Sequence, residues 1–221
     1  LAAKSTTTIR IGQHMDRIRD VSVVVACILL FAVFIHDPWP GRILAVAGLA
    51  GAAIMIGYTI RLISIVRAFG LSKPDRRILI FTIPAALLGL ALGIATRNSF
   101  DLTPLPAAVT GLALVAPVIG AMEELVFRGY IQGHLRPIGR IFCVVYASTV
   151  HTSYKLLVIL TLSVPLQFDF FFLVLWTFLG GLAFGALREF SRSSIPPVIA
   201  HAVFDIVLYG GMSVAPVWVW S

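Results

Sequence analysis

Six ionisable side chains lie in or beside long apolar segments of the chain: Glu123, Glu124, Arg128, His151, His201 and Asp205. A charged side chain at the centre of a bilayer costs roughly 2.5–3.5 kcal/mol or more, so such residues are rare and usually functional. Carboxylates, imidazoles and a guanidinium are also the groups with which enzymes activate water and stabilise an oxyanion. The residue types therefore point to hydrolysis, and their setting points to a site within a membrane.

The spacing of these residues divides their roles. Glu124 and Arg128 are four residues apart, so on a helix they share one face and can form an ion pair. Glu123 is rotated from Glu124 by about 100° and is free to point elsewhere. His201 and Asp205 are also four residues apart and share a face. We therefore expect Glu124 to be structural and Glu123 to be the catalytic carboxylate.

The elements that must position these side chains are helices in a membrane. The chain has 221 residues, 59% hydrophobic and 12% charged, whereas a soluble domain is about 25% charged. We predict an all-α polytopic membrane protein, with a basic juxtamembrane segment at residues 1–20 and a single bundle at 21–221. A spanning helix needs about 20 apolar residues. The predicted bundle has about seven transmembrane helices, at residues 21–35, 43–66, 78–96, 106–126, 141–162, 170–187 and 195–217.

The distribution of positive charge predicts the orientation of the bundle. Fourteen of the 17 Lys and Arg residues fall on the side of the predicted N-terminus, and only Arg42, Arg97 and Lys155 fall on the other. Because cytoplasmic loops are rich in Lys and Arg, we expect the N-terminus to be cytoplasmic. The three ionisable stretches then lie in the cytoplasmic half of the bilayer, in one cavity open to the cytosol. The net charge of +7 comes without a basic stripe of interleaved aromatics, so no nucleic-acid partner is expected.

The order and spacing of the motifs resemble a known family. Glu123-Glu124-x-x-x-Arg128, a later His151, and His201-x-x-x-Asp205 look like the three signature motifs of the CPBP family, over residues 106–210. This family comprises the type II CAAX prenyl endopeptidases and the bacteriocin-processing or Abi-like proteins. The resemblance implies a metal-independent glutamate peptidase that cuts membrane-associated or lipidated polypeptides in a prokaryotic cell membrane.

The same resemblance implies the role of each residue. Glu123 would activate water with His151 as its partner, and His201 with Asp205 would stabilise the oxyanion. Glu124 and Arg128 would support the site.

Two positions depart from the family pattern. The family usually has phenylalanine four residues before the second-motif histidine, where this chain has Ala147. The third motif often ends in asparagine, and here it ends in Asp205. An ionised aspartate cannot donate a hydrogen bond to an oxyanion. Asp205 would therefore have to be protonated, or orient His201 instead.

Other interpretations of the same residues stay open at this point. The Glu and Arg side chains can form a purely structural ion-pair network, and Glu, His and Asp are competent zinc ligands. The chain can also be an idle scaffold or assembly subunit of a larger membrane complex. A proton-relaying transporter would show inverted repeats, and none is visible in the sequence.

Overall fold

The computed structural model describes residues 2–62, 64–71, 75–162 and 169–214, and every regular element in these ranges is helical. The all-α prediction is confirmed. Nine α-helices and one π-helical segment follow one another along the described residues: α1 Ala2–Phe34, α2 Arg42–Leu62, α3 Ile65–Ala68, α4 Arg76–Ser99, α5 Gly111–Glu124, the π-helix Leu125–Gln132, α6 Gly133–Leu135, α7 Arg140–Leu160, α8 Phe170–Ser191 and α9 Ile195–Tyr209.

Four of these helices are long and apolar enough to cross a membrane: Arg42–Arg61 within α2, and α4, α7 and α8. α9 is a shorter apolar helix. The outer surfaces carry large apolar side chains, such as Ile54, Ile83 and Ile141, which are 73%, 67% and 82% exposed. So much exposed apolar surface is typical of a lipid-facing protein. The predicted count of about seven spans is not confirmed beyond these four.

Several predicted boundaries differ from the structure. α1 runs unbroken from Ala2 to Phe34, so it begins before the first predicted span and also includes most of the predicted juxtamembrane segment. The predicted fourth span, 106–126, begins as a helix only at Gly111 and changes to a π-helix at Leu125, because prolines precede it and the hydrogen-bond pattern changes after Glu124. The predicted seventh span ends as a helix at Tyr209, and its residues 215–217 lie outside the described part.

α9 lies at the centre of the packing that forms the site. It packs against α4, α5 and α8, while α7 packs against α8, α1 and the π-helix. Glycines allow α4 to approach α9 closely: a Cβ added at Gly93 would lie 2.8 Å from the Val207 Cβ, and one at Gly89 would clash with the Ala200 carbonyl. Small residues commonly permit such contacts between membrane helices. α9 is therefore held at backbone distance from α4.

The bundle has two distinct ends. At the basic end, α8 turns into α9, and Ser194 donates from its backbone N–H to the Gly70 carbonyl at 3.0 Å and from its hydroxyl to the Phe69 carbonyl at 2.7 Å. At the far end, buried Arg97 of α4 closes the C-terminus of α9. Its guanidinium donates to the Val207, Leu208 and Gly210 carbonyls at 3.2, 3.0 and 2.9 Å. A cation at this position satisfies carbonyls that a helix end leaves without partners.

The close approach of α4 and α9 makes a prediction about stability. Gly89→Ala should lower the free energy of unfolding by about 1–3 kcal/mol, because the new methyl group overlaps the Ala200 carbonyl. Gly57→Ala is the matched control, since nothing lies within 4 Å of a Cβ there. It should leave stability unchanged or raise it by up to about 1 kcal/mol. Unfolding of both purified variants in detergent measures the difference, and equal stabilities would contradict the packing described.

Candidate active site

The first motif spans the junction between α5 and the π-helix. α5 ends at Glu124, and residues Leu125–Gln132 follow as a π-helix with wider turns. Such segments are rare and often occur at functional sites. Arg128 lies in the middle of this segment and is fully buried, as are Tyr130 and Gln132. The π-helix therefore directs a large charged side chain into the protein interior.

Glu124 and Arg128 form the predicted ion pair. Arg128 donates from Nη1 to Glu124 Oε1 at 3.1 Å, and both side chains are 0% exposed. His201 of α9 contacts the same oxygen through Nδ1 at 2.9 Å. Because an ionised carboxylate only accepts hydrogen bonds, His201 carries a proton on Nδ1. One carboxylate oxygen thus joins α5, the π-helix and α9.

The hydrogen-bond network also assigns the tautomer of His151. Arg128 Nη1 lies 3.2 Å from His151 Nδ1, and a guanidinium can only donate, so Nδ1 is the acceptor. The proton of the neutral ring is then on Nε2, which lies 3.3 Å from Glu123 Oε2. Glu123 does point away from Arg128, as its rotation from Glu124 predicts. His151 therefore donates to Glu123 in this arrangement.

Lys155 is a member of the site that the sequence analysis assigns elsewhere. It lies one helical turn after His151 in α7, and its Nζ contacts Glu123 Oε1 at 2.7 Å. Its side chain is 17% exposed, so it is an internal partner and not a loop cation on the outer side of the bundle. The spacing of four residues from His151 was the available signal. Glu123 therefore has a cation on one oxygen and an imidazole on the other.

His201 and Asp205 complete the group. His201 Nε2 lies 3.9 Å from Glu123 Oε2 and 3.9 Å from Asp205 Oδ1, which is too long for a direct hydrogen bond. Both side chains are buried. A Cβ added at Gly120 of α5 would lie 2.5 Å from Asp205 Oδ2, so this glycine gives Asp205 its room. The structure thus brings all six predicted residues together.

A cavity of about 170 Å³ reaches these side chains. Glu123, His151, Lys155, His201 and Asp205 lie along it together with apolar and aromatic residues of α4, α8 and α9. Such a volume holds several waters, since one water needs about 10–15 Å³.

The lining residues show how far the cavity extends along the bundle, and its opening to the cytosol stays a prediction. Its lining continues toward the far end, past Phe100 at the end of α4, Phe172 at the start of α8 and Tyr209 at the end of α9. In the predicted orientation, that end is the non-cytoplasmic one.

A comparison with protein families matches residues 103–207 to the family described as type II CAAX prenyl endopeptidase Rce1-like. All six candidate residues fall within the matched segment, and the family predicted from the three motifs is confirmed. Comparisons with curated proteins and with solved structures found no match.

Because residue 147 is alanine and not phenylalanine, a different side chain packs against His151. Ala147 is 1% exposed and packs in the core between α1, α2 and α7. An aromatic ring still contacts the second-motif histidine, because Phe127 lies with its ring centre 4.6 Å from that of His151. The side chain that packs on His151 therefore comes from the π-helix.

In the part of the chain that the structure describes, no three His, Cys, Asp or Glu side chains are arranged to hold a metal ion. The site residues are already engaged with cations: Arg128 contacts Glu124, and Lys155 contacts Glu123. The expectation of a site without a metal cofactor stays a prediction, and chelation tests it.

The buried ion pair makes a prediction about stability. Arg128→Met should lower the free energy of unfolding by about 3–5 kcal/mol, because it leaves Glu124 charged and buried without its cation. Adding Glu124→Gln should recover part of this loss, since the uncompensated charge is then removed as well. Arg19→Met is the control: the exposed Arg19 side chain pairs with Asp16 at 3.4 Å and with Asp20 at 2.8 Å and should change stability by no more than about 1 kcal/mol. Additive effects of the two core substitutions would contradict the coupling.

Proposed function

We propose that this protein is an intramembrane endopeptidase that hydrolyses a peptide bond of a membrane-associated or lipidated polypeptide. The observation that carries the proposal is the meeting of Glu123, His151 and His201 around one carboxylate oxygen in a cavity, with Glu123 Oε2 at 3.3 Å from His151 and 3.9 Å from His201. The match of residues 103–207 to the Rce1-like family supports a peptidase of the CAAX-protease type.

In the proposed reaction, Glu123 is the general base. It takes a proton from a water bound in the cavity beside Glu123 and His151, and the resulting hydroxide attacks the carbonyl carbon of the substrate. Glu123 then returns the proton to the leaving amine as the C–N bond breaks. The proton taken from water thus leaves with the amine, and no cofactor is required.

His201 is placed to stabilise the oxyanion. Its Nδ1 already donates to Glu124, so donation from Nε2 as well requires the imidazolium form. Three carboxylates surround that ring: Glu124 at 2.9 Å and Glu123 and Asp205 at 3.9 Å. In this proposal Asp205 acts on His201 through its charge and does not itself donate to the oxyanion.

Lys155 and Arg128 position the reacting groups. Lys155 fixes one oxygen of Glu123 and leaves the other facing the two histidines. Arg128 fixes the neutral tautomer of His151 by donating to Nδ1. Preorganised side chains of this kind contribute to catalysis because they need no rearrangement during the reaction.

The cavity walls support a hydrophobic substrate. Aromatic residues from three helices, including Phe100, Phe172 and Trp176, line the cavity between the site and the far end. Trp176 donates to Thr96 at 3.0 Å and so links α8 to α4 beside the cavity. A lipid chain or an apolar peptide segment suits such walls better than a hydrated loop does. The setting of the reaction is the membrane of a prokaryotic cell, with the N-terminus in the cytoplasm.

The first test is the loss of the proposed base. Glu123→Gln should lower the rate of peptide cleavage by about 10²–10⁴-fold while the protein stays folded, because the amide cannot take a proton from water. The assay uses proteoliposomes with a prenylated CAAX reporter peptide and its unprenylated counterpart. To extend the test to other substrates, peptide termini are compared in membranes of cells that express the wild type or Glu123→Gln.

Asp75→Asn is the matched control for this experiment. It also removes a carboxylate, but Asp75 only caps α4 by accepting from the Ile78 N–H at 2.8 Å, and asparagine caps a helix equally well. Its cleavage activity should equal that of the wild type. Cleavage that persists in Glu123→Gln would contradict the proposed base, and absence of cleavage in the wild type with every substrate would favour an idle scaffold.

The second test concerns the metal. Extended treatment with chelators should leave cleavage unchanged, since the proposed steps use only Glu123, the two histidines and water. Activity before and after dialysis against a strong zinc chelator measures this. A clear loss that added zinc restores would overturn the metal-free mechanism.

A further inference from the structure

A second cavity lies at the basic end of the bundle, away from the candidate active site. It has a volume of about 300 Å³ and shares no lining residue with the first cavity. Seven residues from α4, the α6–α7 turn, the start of α7 and the end of α8 form its walls: Arg77, Phe81, Arg136, Arg140, Glu189, Phe190 and Arg192. We call it the arginine pocket. The peptidase proposed above makes no use of it.

The arginine pocket concentrates positive charge. It contains four guanidinium groups and one carboxylate, and that carboxylate is already engaged. Glu189 accepts from Arg136 Nε at 2.9 Å and from Gln132 Nε2 at 3.1 Å. Among the described residues, Arg77, Arg140 and Arg192 have no side-chain hydrogen bond or ion pair. Three like charges around one concavity repel one another, and a bound anion would reduce this repulsion.

The backbone conformation of Arg192 adds an independent observation. Arg192 ends α8 with φ 60° and ψ 21°, in the left-handed region where glycine is usual. A non-glycine residue is strained in this conformation, and such strain is often found where a side chain serves a ligand. The strained residue places a guanidinium on the pocket wall where a glycine would provide none.

The other side of the arginine pocket is apolar and continuous with the outer surface of the bundle. Phe81 and Phe190 stack with ring centres 6.4 Å apart and planes within 8° of parallel. Phe190 is 65% exposed. On the same stretch of α4, Leu79 and Ile83 are 65% and 67% exposed. A ligand in the pocket therefore meets guanidinium groups on one side and the lipid-facing surface on the other.

We propose that the arginine pocket binds the phosphate of an anionic phospholipid headgroup, with the acyl chains lying against Phe81 and Phe190. Guanidinium groups match the geometry of a phosphate and bind it through paired hydrogen bonds. Basic pockets between membrane helices are established binding places for anionic headgroups. The lipid, and not a soluble phosphate, is the favoured source because the aromatic pair joins the pocket to the apolar exterior. This proposal does not depend on the peptidase function.

The experiment measures thermal unfolding of the delipidated full chain in an uncharged detergent. Short-chain phosphatidylglycerol, short-chain phosphatidylcholine and inorganic phosphate are titrated separately. Phosphatidylglycerol should raise the unfolding temperature saturably, and the other two probes should have little effect. In the double variant Arg77→Gln/Arg140→Gln, the affinity for phosphatidylglycerol should fall at least tenfold.

The matched control is Arg61→Gln/Arg67→Gln. These two arginines are exposed near the same end of the bundle but lie outside the arginine pocket. The control should bind phosphatidylglycerol within twofold of the wild type. If the pocket variant does not fold, Arg192→Gly replaces it, because glycine suits the left-handed backbone while the charge is lost.

Three outcomes would overturn the proposal. Unchanged affinity in the pocket variant would show that the lipid does not bind in the arginine pocket. An equal loss of affinity in the control would show general attraction between the basic end and anionic lipid. Equal protection by inorganic phosphate would reassign the pocket to a soluble anion.

Discussion

The architecture of the site depends on one buried carboxylate, that of Glu124, which needs charged or hydrogen-bonding partners. Glu124 is 0% exposed, and its Oε1 accepts from Arg128 and contacts His201. A buried charge without partners is strongly destabilising, so the π-helix and α9 must stay where their cationic groups reach it. Arg128 also donates to His151 Nδ1 and so fixes the position of α7 relative to the π-helix. The position of the proposed catalytic pair thus follows from the electrostatic requirements of a residue that is not itself the base.

Close packing makes this arrangement possible. Gly89 and Gly93 let α4 touch α9, and Gly120 leaves room for Asp205 between α5 and α9. Arg97 ties the C-terminus of α9 to α4 from the far end. A short helix of 15 residues is thereby fixed along its whole length. That rigidity matters because His201 lies 3.9 Å from two different carboxylates, where small displacements would change its partners.

Much of the site could be predicted from the sequence, because four-residue spacing on a helix survives into the structure. The pairing of Glu124 with Arg128 and the divergence of Glu123 follow this rule. The meeting of the three motifs was expected for another reason, the similar depth of their helices' charged residues in the bilayer. Lys155 was missed because a lysine near the end of an apolar segment resembles a topological signal, and only its three-dimensional partner distinguishes the two. The π-helix was missed because apolar periodicity does not report a change in hydrogen-bond pattern.

The distribution of the charged cluster over separate helices has a consequence for biogenesis. Lys155 arrives on α7 and Asp205 on α9, while Glu123, Glu124 and Arg128 arrive together on α5 and the π-helix. Each charge at the centre of a helix costs roughly 2.5–3.5 kcal/mol during insertion. The first of these segments brings two carboxylates with a single guanidinium, and α7 then supplies the missing ammonium group. Synthesis from the N-terminus therefore delivers the cations of Glu123 and Glu124 before α9 enters, so α9 joins a cluster that is already close to electrical balance.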